Sequence, residues 1–192
     1  MYQKRNKELG VLGLYLGDYT KSFYLREISK LSQTPLKTTQ NILKELENKR
    51  ILKSSLHGKN KYFSLNLDSI QTKSYLLQSE IYKTDIFLEN YPHFKTFLKS
   101  LNTNALIIVF GSFAKFKAGK DSDLDLLIIS EKEQKLPFHL LPYKVHQVNL
   151  SEESFIKVVR EQETIIKEIE ENHIVLNNHS FYINSRWNYY GK

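Results

Sequence analysis

A continuous apolar run, followed by a small turn and two closely spaced acids, constrains this fold more than any other part of the sequence. Residues 106–110 form a β-branched and aromatic run, which is typical of a strand buried on both faces. The run stops at Gly111 and Ser112, and Asp123 and Asp125 then lead into a second apolar run. The sequence therefore predicts two buried strands with small and acidic residues at their ends.

The small turn and the acid pair each indicate a ligand. A glycine-serine turn after a strand lets backbone N–H groups and a hydroxyl approach a phosphate closely. Asp123 and Asp125 lie two residues apart in an extended segment, so their carboxylates project from the same face. Neighbouring carboxylates repel unless a cation lies between them, and their oxygens suit Mg²⁺ or Mn²⁺. Either motif alone is commonly an ordinary turn or strand end, but their order and spacing favour a phosphate and metal site.

The two motifs together resemble the polymerase-β-like nucleotidyltransferase superfamily, and within it the minimal nucleotidyltransferases. The pattern of that family is Gly-Ser-x-Ala-x-Gly, a short gap, and Ser-Asp-x-Asp-Leu. Here it stands as Gly-Ser-Phe-Ala-Lys-Phe at 111–116 and as Ser-Asp-Leu-Asp-Leu at 122–126. The resemblance implies an α+β domain over 103–192, with a mixed sheet and flanking helices, that binds an NTP and transfers a nucleotidyl group.

The resemblance also implies roles for individual residues. Asp123 and Asp125 would be catalytic and would ligate Mg²⁺ or Mn²⁺ for attack on the α-phosphate of the NTP. The segment between the motifs, 113–120, is expected to be a basic helix. The residues expected to bind the nucleotide are Gly111, Ser112, Lys115 and Ser122.

Two departures from the family pattern bear on catalysis. The third glycine of the family is Phe116 here, which changes the rim of the pocket. Active members also place a third carboxylate on a later strand, and the candidate strand, 143–150, offers His146, Gln147 and Asn149 but no acid. A neutral amide cannot serve as a general base. We therefore expect slow turnover or none, which Asn149→Asp or Gln147→Asp would raise.

The first third of the chain carries all of its excess positive charge. Residues 1–66 hold 13 lysines and arginines against 5 acids, and residues 67–192 hold 15 against 16. This asymmetry is typical of a polyanion-binding module joined to a neutral one. A generally solvated basic surface would give the same balance, so the charge alone leaves both interpretations open.

The order of elements in 1–66 predicts a winged helix-turn-helix domain that binds duplex DNA. The predicted helices are 7–17, 25–31 and 36–49, and the predicted hairpin has strands 51–56 and 61–65 around a turn at 57–60. The segment from Leu36 resembles the recognition helix of bacterial and archaeal winged-helix regulators, with Arg50 where such sequences usually have glycine.

The third predicted helix has one apolar and one polar face. The apolar face is expected to be buried and comprises Leu36, Thr39, Leu43 and Leu46. The polar side chains expected to reach the major groove are Lys37, Thr38, Gln40 and Lys44. On the hairpin, Lys59 and Lys61 are expected to lie near DNA phosphates.

Residues 67–102 are predicted to form a helical connector between the two modules. Its long helix, 69–91, presents an apolar seam, and winged-helix proteins usually address two half-sites, so the seam predicts a homodimer. The seam residues are Ile70, Leu77, Ile81, Leu88 and Tyr91. Near the C-terminus, 174–176 and 181–183 are predicted to pair as a small closing hairpin.

The composition narrows the class of protein. The chain has no cysteine, so it has no disulfide or thiolate metal site, which fits a reducing cytoplasm. Its apolar stretches are too short to span a bilayer, so no membrane association is expected.

The leading interpretation is a DNA-binding protein with an NTP-binding nucleotidyltransferase domain. The alternatives are a transcriptional regulator with an inactive domain that senses a ligand, and an antitoxin-like enzyme that modifies a partner toxin.

Overall fold

A computed structural model describes residues 6–161 and 164–191 of the chain. The chain divides into two compact units, one that reaches to Tyr82 and includes Tyr190, and one from Lys83 to Tyr189. The boundary falls inside a long helix, so the predicted connector 67–102 is shared between the units. The outermost residues of the predicted domains 1–66 and 103–192 lie outside the described residues. Within the described ranges, no helix has both the length and the apolar content that crossing a membrane requires.

The N-terminal unit combines helices with a small antiparallel sheet. Its elements are α1 (Lys7–Leu12), which continues as a 3-10 turn (Gly13–Tyr15), β1 (Ser22–Tyr24), α2 (Leu25–Leu31), α3 (Leu36–Asn48), β2 (Leu52–His57) and β3 (Asn60–Leu65). Strand β3 lies between β1 and β2. The predicted hairpin is confirmed, but its turn is tighter than expected: His57 pairs with Asn60, and Gly58 takes a positive φ of 61°. Strand β1 was not predicted.

Helix α3 buries one face, with one exception to the prediction. Thr39, Leu43 and Leu46 are buried, as expected from their spacing. Leu36 was predicted to join them, yet 47% of it is exposed. It is the first residue of the helix, directly after Pro35, so the turn before the helix leaves it outside the core.

Three helices end in the same cap, each with a residue other than glycine in the left-handed position. After α3, Arg50 has φ 57°. The Ile51 amide donates to the Leu46 carbonyl at 2.9 Å, and the Arg50 amide donates to the Glu47 carbonyl at 3.0 Å, which is the Schellman pattern. Gln33 after α2 and Phe116 in the C-terminal unit have the same hydrogen-bond pattern. Arg50 stands where similar sequences usually have glycine, and the backbone takes the left-handed conformation there despite its cost.

The C-terminal unit is built on a mixed sheet. Its elements are α4 (Ile70–Asn90, which begins in the first unit), α5 (His93–Lys99), β4 (Leu106–Phe110), α6 (Gly111–Ala114), β5 (Leu124–Ile129), a 3-10 turn (Phe138–Leu140), β6 (Val145–Leu150), α7 (Glu152–Glu161), α8 (Thr164–Glu171), β7 (Ile174–Asn177) and α9 (His179–Tyr190). The strand order is β6-β5-β4-β7. Strands β5 and β6 are parallel and the other neighbours are antiparallel, so the predicted mixed sheet is confirmed.

The two central strands of the sheet, β4 and β5, are buried on both faces. On one face, Leu124, Leu126 and Ile128 of β5 belong to a core cluster with aromatic residues of the preceding helices. These aromatic residues are Phe87, Phe94, Phe97 and Phe113. Leu127 and Ile129, which point to the opposite face, are also buried. This two-sided burial explains why β4 and β5 are continuous apolar runs.

The predicted closing hairpin is wrong in its second half. Residues 174–176 lie in β7, but 181–183 lie in α9. Asn178 caps this helix, since its Oδ1 accepts from the Phe181 amide at 3.3 Å. Tyr182 and Arg186, four residues apart, are both buried, which is helical rather than strand periodicity.

The predicted seam residues of the long helix do not form one continuous apolar surface, because some are exposed and others pack against a core. Ile70 and Ile81 are 69% and 44% exposed. Leu88 and Tyr91, farther along the chain, instead pack against the core cluster of the C-terminal unit. The apolar residues that α4 does bury, Leu76 and Phe87, lie outside the predicted seam.

Candidate functional site

Gly111 stands where β4 ends, and the site is built around it. Its φ is +67°, a conformation that L side chains rarely adopt. Phe110, the preceding residue, pairs with Asp125 of β5. A Cβ atom added to Gly111 would collide with the Asp125 carboxylate. Both the backbone angle and the close approach therefore require glycine, and this closeness brings the predicted phosphate turn next to the predicted metal acid.

The two acids lie together on one side of the site, as their spacing predicted. Asp125 is the second residue of β5, and Asp123 comes just before the strand. Their side chains are 32% and 37% exposed. One imidazole, that of His146, approaches both: its Nε2 is 3.6 Å from Asp123 Oδ2 and its Nδ1 is 3.8 Å from Asp125 Oδ1.

His146 reaches the acids because β6 runs parallel to β5 in a fixed register. His146 pairs with Asp125, so both side chains point to the same face of the sheet. Gln147 and Asn149 are one and three residues further on and therefore face the other way. They were expected to be the positions where an added acid would raise turnover, and the register corrects this: His146 is the β6 residue beside the acids.

The charges around Asp125 oppose one another. Burial raises the pKa of the Asp125 carboxyl above its ordinary value. His146 lowers that pKa, and the carboxylates of Asp123 and Glu168 raise it. Glu168, the second of these carboxylates, lies on α8. Sequence reasoning missed Glu168 because an acid on the exposed side of a helix carries no distinguishing pattern.

The loop between the two motifs differs from its prediction. The expected basic helix over 113–120 ends at Ala114, and an irregular segment follows. Lys115 extends from this segment to within 3.9 Å of Glu168, Nζ to Oε1. The Ser122 hydroxyl accepts the Gly119 amide at 2.9 Å, so its observed role is to shape the loop. Ser112, half-buried in the first turn of α6, lies beside Gly111 at the end of β4.

Phe116 occupies the position of the family's third glycine and keeps the backbone conformation that glycine favours. Its φ is 55°, and its amide donates to the Phe113 carbonyl at 3.0 Å. The residue is 41% exposed, and its ring lies near the rings of Phe87 and Tyr91. Aromatic packing thus accompanies a backbone strain of about 1–2 kcal/mol.

The side chains present fit a single divalent ion better than a pair of ions. Asp123 and Asp125 offer carboxylate oxygens, the ligands that Mg²⁺ and Mn²⁺ prefer. Within residues 6–161 and 164–191, however, no group of three or more histidine, aspartate, glutamate or cysteine side chains is placed to hold one ion. Among the described side chains, Asp123 and Asp125 are therefore the two that offer charged oxygen ligands for an ion in this site.

A second candidate surface is a cleft of about 940 Å³ in the N-terminal unit. Its lining comes from the end of β1, the start of α2, helix α3 and the hairpin: Tyr24, Leu25, Arg26, Gln40, Leu43, Lys44, Glu47, Asn48, Lys59, Asn60, Lys61 and Phe63. The structure thus brings together Gln40, Lys44, Lys59 and Lys61 of the predicted DNA contacts. Lys37 and Thr38 lie earlier on α3, outside this lining. Arg26 adds a cation that the sequence had not singled out.

Lys61 has a partner within this cleft. Its Nζ lies 2.8 Å from Glu47 Oε2, and it joins the hairpin to α3. Ser54 donates to the same Glu47 carboxylate. These contacts lower the pKa of Glu47, with the hydrogen bond from Lys61 as the largest cause. Lys61 therefore holds the hairpin against the helix, while Lys59 at the turn is exposed.

Comparison with known families finds a match in the C-terminal unit. Residues 92–179 match the family model of the nucleotidyltransferase domain. The match includes Gly111, both aspartates, His146 and Glu168, and it supports the nucleotidyltransferase part of the sequence resemblance. Neither a curated protein nor a solved structure matches the chain.

Proposed function

We propose that this chain is a DNA-binding protein whose C-terminal domain binds an NTP together with Mg²⁺ or Mn²⁺. The observation that carries the nucleotide half is the contact between the Gly111 backbone and the Asp125 carboxylate. A turn that can approach phosphate closely and an acid that can hold a metal lie side by side there. The match of residues 92–179 to the nucleotidyltransferase domain supports transfer of a nucleotidyl group to an acceptor as the reaction class.

Each part of the nucleotide would meet a different part of the site. The backbone of Gly111 and the hydroxyl of Ser112 would contact the phosphates, and Lys115 on the following loop would contribute positive charge. Asp123 and Asp125 would hold the ion. A bound divalent ion would neutralise charge between the carboxylates and the phosphates.

The features that support DNA binding lie in the N-terminal unit, which we propose to be a winged helix-turn-helix domain. A helix with a polar, basic face (α3) stands beside a hairpin, and the residues of 1–66 carry the excess positive charge. In this proposal α3 enters the major groove with Lys37, Thr38, Gln40 and Lys44 towards the bases. Lys59 and Arg26 would contact phosphates.

A homodimer is part of the same proposal. Ile70 and Ile81 lie eleven residues apart on α4, which brings them to nearly the same side of the helix. Both are exposed apolar side chains of the N-terminal unit. Two copies joined there would present two DNA-reading helices to two half-sites. Light scattering at tens of micromolar should give the dimer mass, and a monomer mass would contradict this part.

Two measurements test the proposed function on the full-length chain. Isothermal titration with ATP should show binding that requires Mn²⁺. Fluorescence anisotropy with labelled duplex DNA should show binding that weakens steeply with salt. Absence of ATP binding with and without Mn²⁺ would remove the nucleotide half. Absence of DNA binding at low salt would remove the other half and leave the first intact.

A further inference from the structure

We infer that His146 limits the nucleotide site to one divalent ion, so that the chain holds an NTP in a site that lacks the second ion used for transfer. This inference rests on the proposed nucleotide binding and adds the number of ions. Its basis is the position of one side chain relative to the two acids.

The register of the sheet puts His146 at the only β6 position that adjoins both acids within the described part of the strand. It pairs with Asp125 across the parallel β5–β6 ladder. Its two ring nitrogens lie 3.6 and 3.8 Å from Asp123 and Asp125, just beyond hydrogen-bond distance. The ring therefore lies alongside the two carboxylates, where an acid on this strand would supply further oxygen ligands.

A second ion would need oxygen ligands that this site does not offer. Two-ion sites hold their ions about 3.5–4 Å apart, and both ions share carboxylates. Hard ions such as Mg²⁺ and Mn²⁺ bind through oxygen. Asp123 and Asp125 can provide ligands for one ion, and among the described side chains no group of three or more acids, histidines or cysteines is placed to hold an ion.

The neighbouring charges also oppose a second ion. The Lys144 ammonium lies 3.6 Å from Asp123 Oδ2 and offsets part of its negative charge. Glu168, the other acid that influences Asp125, has Lys115 3.9 Å from its carboxylate. Positive charge therefore already accompanies the acids on both sides, which lowers the attraction for a second cation.

The test counts Mn²⁺ ions bound per chain. Full-length protein is saturated with α,β-methylene-ATP, an analogue that cannot be cleaved at the α-phosphate, and titrated with Mn²⁺. Bound Mn²⁺ is counted by electron paramagnetic resonance, in which two ions close together give a distinct coupled signal. We expect one ion in the natural chain and two in His146→Asp.

His146→Asn is the matched control, because it removes the imidazole and adds no charge, and it should keep one ion. Thermal unfolding gives a second readout: Mn²⁺ should raise the Tm of His146→Asp more than that of His146→Asn, since three neighbouring carboxylates repel one another without metal. Two ions in the natural chain, or one in folded His146→Asp, would overturn the inference. Binding of neither the analogue nor Mn²⁺ to the natural chain would instead contradict the proposed function.

If His146→Asp does not fold, the count for the natural chain still decides. A coupled two-ion signal there would overturn the inference. A single uncoupled ion that is lost in Asp125→Asn would support it.

Discussion

The backbone of Gly111 lies so close to the carboxylate of Asp125 that a single added methyl group would overlap it. The contact follows from the antiparallel pairing of β4 with β5, in which Phe110 stands opposite Asp125. Two motifs separated by a dozen residues thereby become one site. Gly111 is needed both for the close approach of the backbone to Asp125 and for the positive φ of the turn. A glycine that only ends a strand would be needed for the turn alone.

Replacement of Gly111 should therefore damage the site directly. Gly111→Ala forces a positive φ on alanine and drives Cβ against Asp125, so we expect a loss of more than about 1 kcal/mol of unfolding free energy. ATP binding should be lost as well. Gly119→Ala is the matched control, because its Cβ would meet nothing closer than 3.9 Å. Urea unfolding and isothermal titration would check both variants, and equal behaviour of the two would contradict the role given to Gly111.

The acid pair should make nucleotide binding dependent on metal. Replacing both Asp123 and Asp125 by asparagine should abolish the Mn²⁺ requirement together with most of the affinity for ATP, since neutral amides attract a divalent ion more weakly. Ser112→Ala should weaken binding by about 1–2 kcal/mol, the contribution of one hydrogen bond to a charged group. Titrations with ATP, with and without Mn²⁺, measure both effects. Unchanged, metal-independent affinity in the double variant would show that these acids are an ordinary strand end.

The cations of the N-terminal cleft should contribute unequally to DNA binding. Lys59→Ala and Arg26→Ala should each lower the slope of log affinity against log salt by about 1, because each removes one phosphate contact. Lys61→Ala should lower it less, since this ammonium is paired with Glu47. Lys30, an exposed lysine of α2 outside the cleft lining, is the control. Equal slopes for all four variants would favour a nonspecific basic surface.

The ion pair between Glu47 and Lys61 should make the N-terminal unit sensitive to acid. The folded protein lowers the pKa of Glu47, so the pair stabilises the fold above the ordinary pKa of 4.5 and this stabilisation is lost as pH falls through the lowered value. For a partly exposed pair we expect about 0.2–1 kcal/mol. Unfolding free energies of the natural chain and Glu47→Gln should differ near pH 7 and converge in acid. A difference that persists at the lowest pH would contradict this.

The sequence predicted what depends on local pattern and missed what depends on pairing between distant segments. Strand β4 and the positions of Gly111 and the two aspartates follow from a single continuous stretch, and the structure agrees with them. The neighbour of Asp125 on β6 depends on a parallel register across a loop of about fifteen residues, which no local pattern fixes. For that reason Gln147 and Asn149 could not be separated from His146 beforehand.

Helix α9 was missed for a different reason. The residues 181–183 are aromatic and β-branched, and over so short a run they fit a strand as well as a helix. The capping contact from Asn178 to the Phe181 amide decides in favour of a helix, and it becomes evident only in three dimensions. Leu36 likewise has the spacing of a buried residue, yet its place at the first position of α3 exposes it.

The cap of α3 offers a stability prediction that is independent of function. Arg50 holds a left-handed φ of 57° that glycine would adopt without strain. Arg50→Gly should therefore raise the unfolding free energy by up to about 1 kcal/mol. This net gain is the strain that glycine relieves in the folded chain minus the cost of its greater flexibility in the unfolded chain. Arg50→Ala is the control, because it removes the same side chain and keeps the strain. The Asn66 side chain, which donates to the Arg50 carbonyl at 2.9 Å, should hold the backbone in place in both variants. Urea unfolding of the three proteins measures the difference, and an alanine variant as stable as the glycine variant would show that the left-handed backbone is not the source of the strain.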